Sequence, residues 1–196
     1  MVALVEMKRP RIYLAGPEVF LSDPIEAGHR KVALCTEHGL DGVYPLDASL
    51  PLDGLAKHAQ AALISRSNEH LMRTCDAVIA NLTPFRGVSA DAGTAFEVGF
   101  LRALGRPVLG YTNATASYLE RSRTYRSSTH LPFDGDGKDI AIEDFDLAEN
   151  LMIEIAIQAS GSRLVRHEAA PGAEMTDLEG FRICLAEARR IFRRGE

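Results

Sequence analysis

Two carboxylates stand close together in one run of the chain: Asn81-Leu-Thr83-Pro-Phe85-Arg-Gly87-Val-Ser89-Ala-Asp91-Ala-Gly93-Thr94-Ala-Phe96-Glu97-Val-Gly99. The run combines an apolar strand end, a glycine-bearing loop and a helix start. Glycines let backbone approach a ligand closely. A helix N-terminus favours an anion and helps keep a nearby carboxylate ionised. An ionised carboxylate is the nucleophile that attack at a sugar carbon requires. A second carboxylate can then transfer a proton to the leaving group. The same letters carry a plainer meaning. Thr94-Ala-Phe-Glu97 matches a capping box, in which Glu97 only satisfies a backbone N–H. Asp91 could likewise cap a turn. Tyr13, at the end of an apolar run, could reach the same crevice or simply fill the core. Asp76, directly before Ala77-Val-Ile, reads on its own as a strand-edge cap, and Met152 as a core residue.

The elements that must position these groups follow from the hydrophobic pattern. Residues 11–16 form a short apolar run closed by Gly-Pro, a buried strand and a turn. Residues 25–38 have helical spacing, with Gly39 placed to end the helix. A second strand is expected at 42–46, a long helix at 55–74 and the clearest buried strand at 77–83. A helix at 94–104 and a strand at 107–112 follow. Continuous apolar strands alternating with helices indicate a parallel sheet covered on both faces. The expected fold is therefore α/β and doubly wound, a flavodoxin- or Rossmann-like sheet of about five strands flanked by helices. Ligands of such folds sit outside the carboxyl ends of the strands. The polar region 113–142 reads as a long loop, 143–159 as a helix, and 176–194 as a last amphipathic helix. One domain spanning 1–196 accommodates all of this.

The 196 residues are 46% hydrophobic and 25% charged, with a formal net charge of -5. That composition supports a packed core and offers no basic stripe with interleaved aromatics for nucleic acid. Arg189, Arg190, Arg193 and Arg194 suit the last turn of a helix. Three cysteines, Cys35, Cys75 and Cys184, sit among aliphatic residues without the spacing of a disulfide framework or zinc site. The opening MVALVEMKRP is too short an apolar run for a signal peptide, and no stretch is long enough to span a membrane. A cytoplasmic enzyme is the expectation.

The pieces Ile12-Tyr13-Leu-Ala-Gly16-Pro-Glu-Val-Phe20, Tyr44-Pro-Leu-Asp47, Cys75-Asp76-Ala-Val-Ile-Ala-Asn81-Leu, Asp91-Ala-Gly93-Thr-Ala-Phe-Glu97-Val-Gly99 and Asn150-Leu-Met152, in that order, resemble the nucleoside 2-deoxyribosyltransferase family. The resemblance implies a retaining double displacement. Glu97 matches the nucleophile that carries a covalent deoxyribosyl group, and Tyr13 matches the tyrosine that orients it. Asp76 and Asp91 match the acids beside the nucleobase. Gly16 and Gly93 match close-approach glycines, and Phe20 belongs to the same substrate-binding set. Asn150 and Met152 match a segment lent by a neighbouring subunit, which implies a homo-oligomer with shared sites. The implied partners are deoxynucleosides and free nucleobases; no metal or organic cofactor is implied. Such chemistry passes through an oxocarbenium-like state that a carboxylate stabilises. Where some members carry a glutamine after the Pro-Leu-Asp turn, this chain has Ala48-Ser49-Leu50.

Two rival readings share these residues. Water in place of the second base gives a deoxynucleoside or deoxynucleotide N-glycosidase. A 5'-phosphate would then need donors, for which Ser22, Arg86 and Ser89 are candidates. A nucleoside-binding module without chemistry is the other, since fold alone does not fix activity.

Overall fold

The computed structural model describes residues 9–46, 49–128 and 140–193. Its five strands all run parallel, in the order β2-β1-β3-β4-β5. They are β1 (Arg11–Ala15), β2 (Asp41–Val43), β3 (Ala77–Asn81), β4 (Val108–Thr112) and β5 (Val165–Arg166). The helices are α1 (Pro24–Glu37), α2 (Lys57–Arg73), α3 (Ala92–Ala103), α4 (Tyr118–Ser128), α5 (Leu151–Gln158) and α6 (Glu179–Arg193). The α/β doubly wound expectation holds.

Alternation along the strands splits the core between the two faces. Tyr13, Ala15, Val78 and Ala80 point to one side and pack with Met72 of α2, Val98 and Leu101 of α3, and Ile153 and Ile157 of α5. Ile12, Leu14, Ala77 and Ile79 point to the other and meet Leu34 and Cys35 of α1 and Phe181, Cys184, Leu185 and Ala188 of α6. Tyr13 thus faces α3. All three cysteines are buried and free.

The order in which strands are added reverses at β1, with β2 on one side of it and β3 on the other, the switch point at which such sheets open a crevice. The connection leaving β1 is a 3-10 turn, Pro17–Phe20. Gly39 (φ 73°) ends α1 in the left-handed conformation that glycine adopts freely.

Three expectations need correction. The region 113–142 is not a continuous loop, because α4 lies within it. Ser117 and Glu120 form a reciprocal cap there: Glu120 N donates to Ser117 Oγ (3.2 Å) and Ser117 N donates to Glu120 Oε2 (2.7 Å). The helix expected from 143 starts only at Leu151. Asn150 is its cap, accepting from Met152 N at 3.0 Å, and Glu143 accepts from Leu151 N at 3.2 Å. The strand expected over 42–46 is displaced to Asp41–Val43. Asp47, Ala48, Arg194 and residues 129–139 of the expected loop lie outside the described residues.

Candidate active site

At the carboxyl ends of β1 and β2 a cleft of about 310 Å³ opens. Gly16, Val19 and Phe20 line it from the turn after β1, and Pro45 and Leu46 from the segment after β2. Ile64 and Asn68 line it from α2, and Asp91, Gly93, Thr94 and Glu97 from the start of α3. The volume lies at the small end of ligand sites, with apolar walls and a few polar groups.

Tyr13, wholly buried, donates its hydroxyl to Glu97 Oε1 at 2.6 Å. Glu97 therefore does not close a capping box. Asp91 is the cap of α3: its Oδ2 accepts from Gly93 N (2.9 Å) and Thr94 N (3.3 Å). Oδ1 is the atom of Asp91 left for a ligand. Burial raises the Glu97 carboxyl from 4.5 to about 7; the Tyr13 hydrogen bond opposes the rise, the charges of Asp91 and Glu18 add to it, and Lys31 opposes it. Position near a helix start does not by itself keep this carboxylate ionised, because desolvation outweighs it. Burial, followed by the Glu97 charge, pushes the Tyr13 phenol far above its ordinary range, so it stays a donor.

Gly16 leaves no room for a side chain: a Cβ there would meet Glu18 Oε2 at 2.0 Å. Glu18 is buried and paired with Lys31 Nζ at 2.8 Å. Its Oε1 also accepts from Asn81 Nδ2 (3.0 Å) and the Tyr111 hydroxyl (3.1 Å). This network fixes the turn that forms the floor of the cleft. Phe20 is 53% exposed and stacks on Phe85, with ring centroids 5.4 Å apart. The Arg86 guanidinium lies 4.7 Å from the Phe20 ring centre and 4.6 Å from that of Phe85. Arg86 holds a left-handed backbone (φ 55°) to do so.

Asp76 corrects the sequence reading. It stands at the amino end of the sheet, where its Oδ2 accepts from Arg11 N (2.9 Å) and Arg106 lies at 4.0 Å. The cleft is at the other end. The polar side chain that the structure brings to the cleft instead is Asn68, on α2. Asn150 and Met152 do not line the cleft of their own chain. The Asn150 amide nitrogen donates to Glu143 Oε1 (2.7 Å), and Met152 is 73% exposed. Ser89, a candidate phosphate donor, instead gives its hydroxyl to Glu149. Among the described residues no three His, Cys, Asp or Glu side chains gather as a metal site.

Fold and cleft define an α/β protein with a tyrosine-held carboxylate at the sheet's switch point. A family model described as "Nucleoside 2-deoxyribosyltransferase" matches residues 12–152. The chain belongs to the nucleoside 2-deoxyribosyltransferase family. It is 33% identical to a solved 2-desoxiribosyltransferase from Leishmania mexicana, with a TM-score of 0.54 over 74% of this chain and 85% of that one. A conserved protein from Enterococcus faecalis V583 shares the fold at 17% identity, with a TM-score of 0.58 over 92% of this chain and 99% of that one. An uncharacterized protein of Schizosaccharomyces pombe is 37% identical over 121 residues, 61% of this chain; the chain spans 57% of that relative's length.

Proposed function

We propose that this protein transfers 2-deoxyribose between nucleobases by retaining double displacement, with Glu97 as the nucleophile. The observation that carries the reading is the Tyr13–Glu97 hydrogen bond of 2.6 Å in a cleft that holds a second carboxylate, Asp91. Tyr13 aims the carboxylate through Oε1 and leaves Oε2 to attack. In the first step the glycosidic C–N bond breaks and a C1'–O bond to Glu97 forms. The departing nitrogen takes a proton through Asp91, and Asn68 faces the base edge with one donor group and one acceptor. A second base then attacks the same carbon, the C1'–O bond to Glu97 breaks, and the proton of the incoming nitrogen passes to Asp91. Two inversions at one carbon retain configuration.

The lining of the cleft supports an unphosphorylated substrate. Among the described residues it contains Asp91 and Glu97 and no lysine or arginine, whereas a 5'-phosphate calls for cationic donors. The exposed Met152, and Asn150 set outside its own cleft, support a site completed by a second copy of the chain. One hydrogen of the Asn150 amide remains for a sugar hydroxyl beyond its bond to Glu143.

The test is incubation with deoxyinosine and adenine beside a control without acceptor. Deoxyadenosine together with hypoxanthine is the expected result. Hypoxanthine and free deoxyribose at equal rates with and without adenine would make the enzyme a hydrolase. No turnover of purine, pyrimidine or 5'-phosphorylated donors would reduce it to a binding module.

A further inference from the structure

Glu149 is wholly buried, yet its two oxygens serve two places that the chain must hold at once. Oε1 accepts the Ser89 hydroxyl and, at 2.9 Å, the backbone N–H of Asn150. Oε2 accepts Ala90 N at 3.2 Å and Arg121 NH2 at 3.3 Å. Ser89 and Ala90 are the residues that lead directly into Asp91. Arg121, on α4, extends the link in both directions. Its Nε donates to Val88 O (2.8 Å) in the loop before Asp91, and its NH2 donates to Ala148 O (2.7 Å) beside Asn150. Glu154 of α5 closes the other side, accepting from Ala148 N (2.8 Å) and Glu149 N (3.2 Å). A buried carboxylate costs stability unless every partner is in place. The two segments are therefore held as one unit, and a displacement of either breaks bonds to the other.

We infer that Glu149 is a positioning residue joining the two halves of a shared site: it sets the loop that carries Asp91 into its own cleft, and it sets Asn150, which serves the cleft of another copy. This rests on the transferase reading and its shared site. It adds that each subunit's loop and the segment it lends are mechanically one piece. Arg121 ties α4, in the middle of a polar region, to that piece.

Mixed assemblies test it. A chain with Asn150→Ala and a chain with Glu97→Ala, carrying different tags, are co-expressed and purified through both tags. The competent sites combine Glu97 of the first chain with Asn150 of the second. Glu149→Gln replaces one acceptor oxygen by a donor and is added to either chain. Each placement is expected to lower base exchange about 10- to 100-fold, the scale of a small misplacement of reacting groups. Ser89→Ala removes a bond on the loop side of Glu149. It should lower exchange more in the chain that supplies Glu97 than in the chain that supplies Asn150. A merely structural role would not depend on placement in this way. Should Glu149→Gln fail to fold, Arg121→Lys takes its place with the same expectations. Loss from one placement of Glu149→Gln only, or from neither, overturns the inference. An inactive parent mixture beside an active wild type means that Asn150 is not lent, and overturns it while the transferase reading stands. An inert wild type overturns that reading, and the inference with it.

Discussion

At the residue scale the decisive pair is Tyr13 and Glu97. Attack requires the ionised carboxylate, and burial holds its pKa at about 7. Activity is therefore expected to rise with pH along a limb centred near 7, read as kcat/KM against pH for the free enzyme. Tyr13 stabilises the charged form, so Tyr13→Phe should move that limb to higher pH and lose more activity at pH 6 than at pH 8. A limb left in place would mean that Tyr13 does not tune Glu97. The same shift predicts a stability effect of the opposite sense. A carboxyl whose folded pKa exceeds its unfolded one favours the fold when protonated and loses that advantage as pH rises from about 4.5 to 7. Glu97→Gln should thus melt higher than wild type at pH 8, by up to about 3 kcal/mol, and match it at pH 4. Equal melting at both would show that the site bears no such cost. That Tyr13, Asp91 and Glu97 could meet was legible because the end of β1 and the loop and helix start after β3 open on the same edge of a parallel sheet, although the letters alone left Tyr13 open to the core and Glu97 to a capping box. Asn68 was not. It lies in the middle of a polar helix, where only the packing of α2 decides which side chain meets the cleft. Asp76 misled for the converse reason: its position before a strand puts it at the wrong end of the sheet.

At the scale of elements, the turn after β1 depends on a charge pair that no pattern announced. Lys31 of α1 and Glu18 have side-chain exposures of 0% and 3%. Lys31→Met would leave Glu18 buried and uncompensated, at a cost of about 3–5 kcal/mol. Adding Glu18→Gln should recover much of that, since it removes the orphaned charge. Chemical denaturation of the three variants measures both steps. Additive destabilisation in the double variant would mean that the two side chains do not act as a pair. Strands and long helices were legible from apolar runs, whereas β5, two residues long, carries no periodic signal. The capping box that opens α4 was present in the letters of Ser117 and Glu120, but the helix has almost no apolar stripe. Arg121 and its carbonyl partners hold it instead.

At the scale of the whole molecule, the fold leaves apolar side chains in solvent. Phe96 on α3 is 58% exposed, and Met152 and Ile155 on α5 are 73% and 47% exposed. The two helices pack together on one face of the sheet. The opposite face is closed by α1 and α6, whose Phe181, Cys184, Leu185 and Ala188 are buried. An exposed apolar surface of this kind marks an interaction site; on the opposite face the large apolar side chains that α1 and α6 expose are Ile25 (47%) and Ile183 (42%). Assembly through α3 and α5 would carry Met152 and Asn150 towards a second copy, as the proposed shared site requires. Met152→Glu places a charge where that contact must be dry, yet touches nothing in the core. The variant is expected to keep its melting temperature to within a few degrees, elute at monomer mass in light scattering, and lose base exchange. A variant that stays assembled and active would remove α5 from the interface. A monomeric variant that is fully active would leave assembly intact as a fact and dissolve its link to catalysis, because each cleft would then be complete in one chain.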